Sequence, residues 1–174
     1  MIAKGYEQRE AENLVHQSYV REAAAIRSAA VLAEDAGAAA KIDGLANLFT
    51  TTGETADVAR LKMYAAAVGV PAVVSKMSEG EEKAARMVPV RLKAAPTGFG
   101  GGGGGGTGAA RLDPTEASRQ QYNTMEMRGF ADGKRSVLDI RNALTAEYGP
   151  QAIEKVTAFF EGLGKTGEFQ IKSQ

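Results

Sequence analysis

Apolar residues recur at helical spacing through most of the first half of the chain. From about Tyr6 to Ala36 the larger ones are Leu14, Val15, Ile26, Val31 and Leu32, set among Ala23, Ala24, Ala30 and Ala33. A core stripe so rich in alanine predicts helices packed closely together. Gly37 loosens the pattern, and Ala38 to Phe49 resumes it. Thr51-Thr52-Gly53-Glu54 matches a capping box, with Thr51 as cap and Glu54 reaching back. It predicts a fresh helix from about Thr55 to Val68, ended by Gly69 and Pro71. Ser78-Glu79-Gly80-Glu81 is a second capping box, before a short helix ending near Met87. Val88 to Leu92 then alternates apolar and polar residues, which predicts a single extended strand. Pro89 confines that strand to an edge or an arm.

The pattern is sharper downstream. Asp113-Pro114-Thr115-Glu116 predicts a helix start, with the helix reaching about Met127. Ser136, with Asp139 three residues on, predicts a capped helix whose Val137, Ile140 and Leu144 share one face. Gly149-Pro150 separates it from another, in which Ile153, Val156, Phe159, Phe160 and Leu163 form an apolar stripe. Gly164 and Gly167 turn the chain into Glu168 to Lys172. There Phe169 and Ile171 alternate with polar residues as a half-buried strand requires. Helix, turn, helix, strand is the order of a small winged-helix-like unit. The expected fold is therefore mostly α: a helical segment over 1–95, a glycine-rich linker over 96–110, and a winged-helix-like helical unit with a short C-terminal strand over 111–174.

Seven consecutive glycines, Gly100 to Gly106, carry the division. Ordering them would cost more backbone entropy than nearby contacts return, so they predict a tether. A phosphate-cradling loop would close on Lys-Ser or Lys-Thr. This run closes on Thr107-Gly108-Ala109-Ala110.

Composition narrows the chemistry. The chain of 174 residues has 21 basic and 21 acidic side chains, split twelve to twelve over residues 1–95 and nine to nine over the rest. A nucleic-acid binder gathers positive charge on one element, and the start of the last predicted helix, Pro150 to Lys155, has one acid and one base. A DNA-binding winged helix is therefore the less favoured reading, and no nucleic-acid partner is expected. No stretch reaches the ~18 apolar residues of a membrane span, and the N-terminal residues lack the apolar core of an export signal. There is no cysteine and one histidine, His16, so a zinc site lacks its usual ligands; a Ser-His-Asp arrangement would depend on His16, and no serine sits in a Gly-x-Ser-x-Gly elbow. Glu79, Glu81 and Glu82 are expected to be a solvated helix start rather than a cation site. Asp132-Gly133-Lys134-Arg135-Ser136 is expected to be a polar turn leading into a helix cap. No catalytic, cofactor-binding or metal-ligating residue is predicted.

Phe130 to Leu144, with Ala146-Glu147-Tyr148-Gly149-Pro150 and a final apolar helix ending in Gly-Lys-Thr-Gly, resembles a known sequence. It is similar to the C-terminal extension after the catalytic domain of some bacterial two-zinc aminopeptidases, relatives of glutamate carboxypeptidase and the transferrin-receptor ectodomain. That family's two metal ions are held by two His and several Asp or Glu residues, and no position here matches them. The resemblance implies a non-catalytic accessory module whose partner is a protein or peptide, a peptidase catalytic domain among them. Its turn is also like that of small winged-helix modules that bind leader peptides, although their N-terminal strand hairpin is not visible in the sequence. The expected docking residues are Ile153, Phe159, Phe160, Leu163, Phe169 and Ile171.

Overall fold

The computed structural model describes residues 5–92 and 124–173. The glycine run and the predicted helix start at Asp113 lie outside the described residues. The fold is mostly α, and its backbone forms two compact units that divide between Lys76 and Met77. The boundary therefore falls well before residue 95. The predicted helix and strand over residues 78–92 belong with the C-terminal unit, because their contacts are made across the glycine run.

In the N-terminal unit, β1 (Tyr6–Glu7) leads directly into α1 (Gln8–Ser28), capped by the Glu7 carboxylate accepting from the Glu10 N–H at 2.6 Å. A 3₁₀ turn, Ala29–Leu32, ends α1. Asp35 then caps α2 (Ala36–Leu48) by accepting from the Ala38 N–H. The predicted break at Thr51 does not occur. Phe49–Glu54 is a π-helical turn that carries α2 without interruption into α3 (Thr55–Ala67). The capping box fails because its members have other partners. The Thr51 hydroxyl donates back to the Asn47 carbonyl, and Glu54 Oε1 meets His16 Nδ1 at 2.9 Å. Gly53 lies beneath the Tyr19 ring, so near that a Cβ there would sit 2.6 Å from Tyr19 Cε1. The unit ends in β2 (Ala72–Val73), which pairs in parallel with β1 and was not foreseen.

The π turn has a packing consequence. Ala46 on α2 and Ala65 on α3 are both buried, and they are nineteen residues apart. At about 100° per residue an unbroken α-helix would turn them ~100° out of phase. Six residues wound with i→i+5 bonding advance only roughly 80° each, which removes about that difference. Both alanines then lie on one seam. Ala23 of α1 is the third buried apolar residue among the described residues of this unit, so that core is built from alanines, with Tyr19 tilted against Phe49 at 4.7 Å beside it.

The C-terminal unit begins with α4 (Glu79–Arg86) and β3 (Met87–Arg91). Residues 124–130 are helical (α5), followed by α6 (Val137–Tyr148), α7 (Ile153–Lys165) and β4 (Phe169–Ser173). Strand β4 pairs antiparallel with β3, with Met87 opposite Ser173 and Arg91 opposite Phe169. Strand Val88–Leu92 is thus not an isolated arm, and the unit reads helix, strand, helices, strand. Ala84, Val137, Ile140, Leu144, Val156, Phe160 and Phe169 fill its core, with Phe160 edge-on to Phe169.

Two glycines test this account. Gly44 has open space where its Cβ would be, so Gly44→Ala is expected to raise stability to urea by about 0.5–1 kcal/mol. Gly53→Ala is expected to lower it, because the new methyl displaces the Tyr19 ring and its hydrogen bond to Asp57. Equal and favourable effects at both positions would contradict the packing described.

Candidate functional site

The C-terminal unit is organised around one buried ion pair. Ser78 and Glu81 form the predicted capping box: the Ser78 hydroxyl accepts from the Glu81 N–H, and Glu81 Oε2 accepts from the Ser78 N–H at 2.8 Å. The expectation that Glu79, Glu81 and Glu82 are all solvated needs correction at Glu81, which is buried. Its second oxygen, Oε1, accepts from Arg141 Nη2 of α6 at 2.7 Å, and both side chains are only 9 % exposed. The pair joins residues sixty positions apart in the chain.

The turn before α6 is built as the sequence predicts. Asp132 Oδ1 accepts from the N–H groups of Lys134 and Arg135, both at 2.9 Å, while Gly133 takes φ +79°. Ser136 and Asp139 complete a capping box. Burial tends to raise the Asp132 pKa, but the two backbone N–H donors and the Arg135 charge lower it by more, so the carboxyl sits below its usual range. The turn's polar groups are thus used in holding the chain, not aimed at a ligand.

The open feature of this unit is the edge of its sheet. The Leu92 N–H donates to the Glu168 carbonyl at 3.0 Å, which makes that pair hydrogen-bonded. By antiparallel alternation, Val90–Gln170 and Val88–Lys172 are bonded pairs too, and Arg91–Phe169, Pro89–Ile171 and Met87–Ser173 are not. Pro89 therefore sits where its missing N–H breaks no ladder bond, and its ring closes the outer side of β3 to a further strand. On β4 the N–H and C=O groups of Phe169, Ile171 and Ser173 face away from β3. Among the described residues β4 pairs with β3 alone. Gln170 and Lys172 are exposed and Ile171 is half-buried.

The six predicted docking residues divide. Ile153, Phe160 and Phe169 are core residues, at most 6 % exposed, because α7 turns its apolar stripe inward onto α6 and the sheet. Phe159, Leu163 and Ile171 are half-buried at the margin of that core. The Arg128 guanidinium lies 5.2 Å from the Phe159 ring centroid and pairs with Glu168 at 2.9 Å, while Arg91 covers Phe169 at 5.1 Å and donates to the Arg128 carbonyl. These two arginines brace the sheet from one side.

In the N-terminal unit His16 is half-exposed and paired with Glu54 at the rim of an open cleft of about 450 Å³, lined also by Arg9, Glu12, Asn13 and Val58. Glu12 is bridged to Lys62 at 2.9 Å. Among the described residues no three His, Cys, Asp or Glu side chains converge to hold a metal ion, and no helix is long and apolar enough to cross a membrane. No family model, curated protein or solved structure matches the chain.

Two outcomes are expected. Arg141→Met strands the Glu81 carboxylate in the interior, and its cost in urea unfolding should be about 3–5 kcal/mol, part of it recovered by adding Glu81→Gln. The Asp132 contribution has the sign of a depressed acid. It is present above the ordinary aspartate range and is lost as pH falls through the lower folded value. Asp132→Asn should therefore be less stable than the parent near pH 7, with the gap closing in strongly acidic buffer. A gap that widens on acidification would refute the assignment.

Proposed function

We propose that the C-terminal unit is a non-catalytic interaction module that accepts an extended segment of a partner protein or peptide as an added strand on β4. One observation carries this reading: among the described residues the outward main-chain donors and acceptors of β4 have no strand partner, whereas Pro89 blocks the other side of the sheet. Strand addition takes its affinity from main-chain hydrogen bonds and its selectivity from alternate side-chain positions. Phe169 and Ile171 face the core side, so a third strand would extend the same half-buried surface, with Phe159 and Leu163 at its margin. The neutral charge balance suits a protein partner better than a polyanion.

The resemblance of Phe130–Leu144 to the C-terminal extension of two-zinc aminopeptidases names a natural source for that segment, a peptidase catalytic domain. The likeness of the turn to leader-peptide-binding winged-helix modules points to the same mode of docking. Both readings make the module a holder and leave the chemistry to its partner.

The test uses the full chain immobilised against a displayed library of random twelve-residue peptides, with the selected peptide then titrated into labelled protein. Amide shifts are expected to concentrate on Phe169, Ile171 and Ser173. Ser173→Pro removes an outward N–H without touching a ladder bond and should weaken binding several-fold, whereas Gln170→Ala should leave it within two-fold. Shifts confined to other elements, or indifference to Ser173→Pro, would remove the strand-addition reading.

A further inference from the structure

The N-terminal unit leaves apolar surface in an ordered place. Its buried apolar residues are alanines, yet on the continuous helix 36–67 and its C-cap Leu45 is 58 % exposed, Leu48 60 %, Met63 72 %, Tyr64 71 % and Val68 53 %. The π turn that aligns Ala46 with Ala65 also aligns Leu45 with Tyr64, since each precedes its alanine by one residue. Leu48 follows Leu45 by three and Val68 follows Tyr64 by four, so the larger apolar residues lie on one flank. Between them the flank carries Thr52, Ala56 and Arg60. The stripe is bulky and apolar at both ends, with the small Thr52 and Ala56 and the charged Arg60 between them.

We propose that this flank is the interface of a two-fold dimer, with the 36–67 helices of two copies packed antiparallel about an axis near Ala56. The pattern is self-complementary, as an isologous contact requires. For an axis at Ala56, facing residues have numbers that sum to about 112. Leu48 then meets Tyr64 of the other copy, Leu45 meets Val68, and Arg60 meets Thr52 rather than a like charge. Ala56 and Thr52 at the crossing let the helices approach closely. The stripe spans roughly 30 Å of helix. Buried in two copies, with the flanking side chains, it reaches the order of 1,200 Å² at which specific interfaces begin. Residues 1–76 hold eight basic and nine acidic side chains, so two copies approach without net repulsion.

The chain has no cysteine, so introduced thiols report the register cleanly. Light scattering on the full chain at about 50 μM should give twice the 18.2 kDa chain mass. Tyr64→Glu should return it to one chain mass. On mild oxidation Ala56→Cys alone should cross-link to itself. Leu48→Cys alone should not, because its two copies lie ~24 Å apart along the helix. A mixture of Leu48→Cys and Tyr64→Cys chains should cross-link to each other. A single chain mass for the unmodified protein overturns the proposal and leaves the flank to another partner. A dimer in which Leu48→Cys cross-links to itself as readily as Ala56→Cys overturns it equally, by assigning a parallel arrangement. The cross-linking arms are read on chains that keep the apolar flank nearly whole, so they decide the matter even if Tyr64→Glu unfolds the unit.

Discussion

The C-terminal unit depends on the buried contact between Glu81 and Arg141. Helix α4 is only eight residues long, too short to persist by itself, and it belongs to a segment joined to the rest of the unit through the glycine-rich stretch. It is held by the Ser78–Glu81 capping box, burial of Ala84, the exposed Lys83–Glu161 pair to α7 and the buried ion pair to α6. The pair is costly to desolvate and gives directional fit in return. An Arg fork meeting one carboxylate oxygen tolerates little displacement, so it sets where α4 lies on α6. Strand β3 follows α4 directly, and its position against β4 follows from that placement.

What could be read in the sequence separates by range. The capping boxes at Ser78–Glu81 and Ser136–Asp139, the Asp132 turn and the alternation at Phe169 and Ile171 were all legible, because each is settled within about four residues. The Thr51–Glu54 box has the same local credentials, and the chain overrode it. Glu54 is taken by His16 from thirty-eight residues away, and Gly53 is needed under Tyr19. The helix then continues through a π turn because burying both Ala46 and Ala65 against α1 is worth more than a cap.

The misplaced domain boundary has the same origin. Seven glycines are the loudest signal in the sequence, but the two compact units divide between Lys76 and Met77, well before them. Val88–Leu92 and Glu168–Lys172 each carried the alternation of a strand; β4 buries Phe169 and exposes Gln170, whereas in β3 the adjacent Val88 and Pro89 are both buried. Nothing local says that they pair with one another. The same limit applied to the apolar stripe of α7: spacing identified the face, but whether Ile153 and Phe160 meet their own unit or a partner depends on α6 and the sheet.

The two units solve the problem of burial in different ways, and the contrast bears on what each can do. The C-terminal unit has a closed core of Phe, Ile, Leu, Val and Ala, with charges used in caps and braces, and among the described residues the outer edge of β4 has no strand partner. Unpaired backbone is generic chemistry: it takes any extended segment and lets neighbouring side chains select among them. The N-terminal unit satisfies its backbone in long helices and leaves side chains unsatisfied. A helix flank of Leu, Met and Tyr is specific in spacing, so it selects a partner whose own spacing is complementary, and its own copy has that property. An edge that recruits and a flank that pairs would together give a bivalent holder, in which two weak strand additions act at the effective concentration set by the dimer.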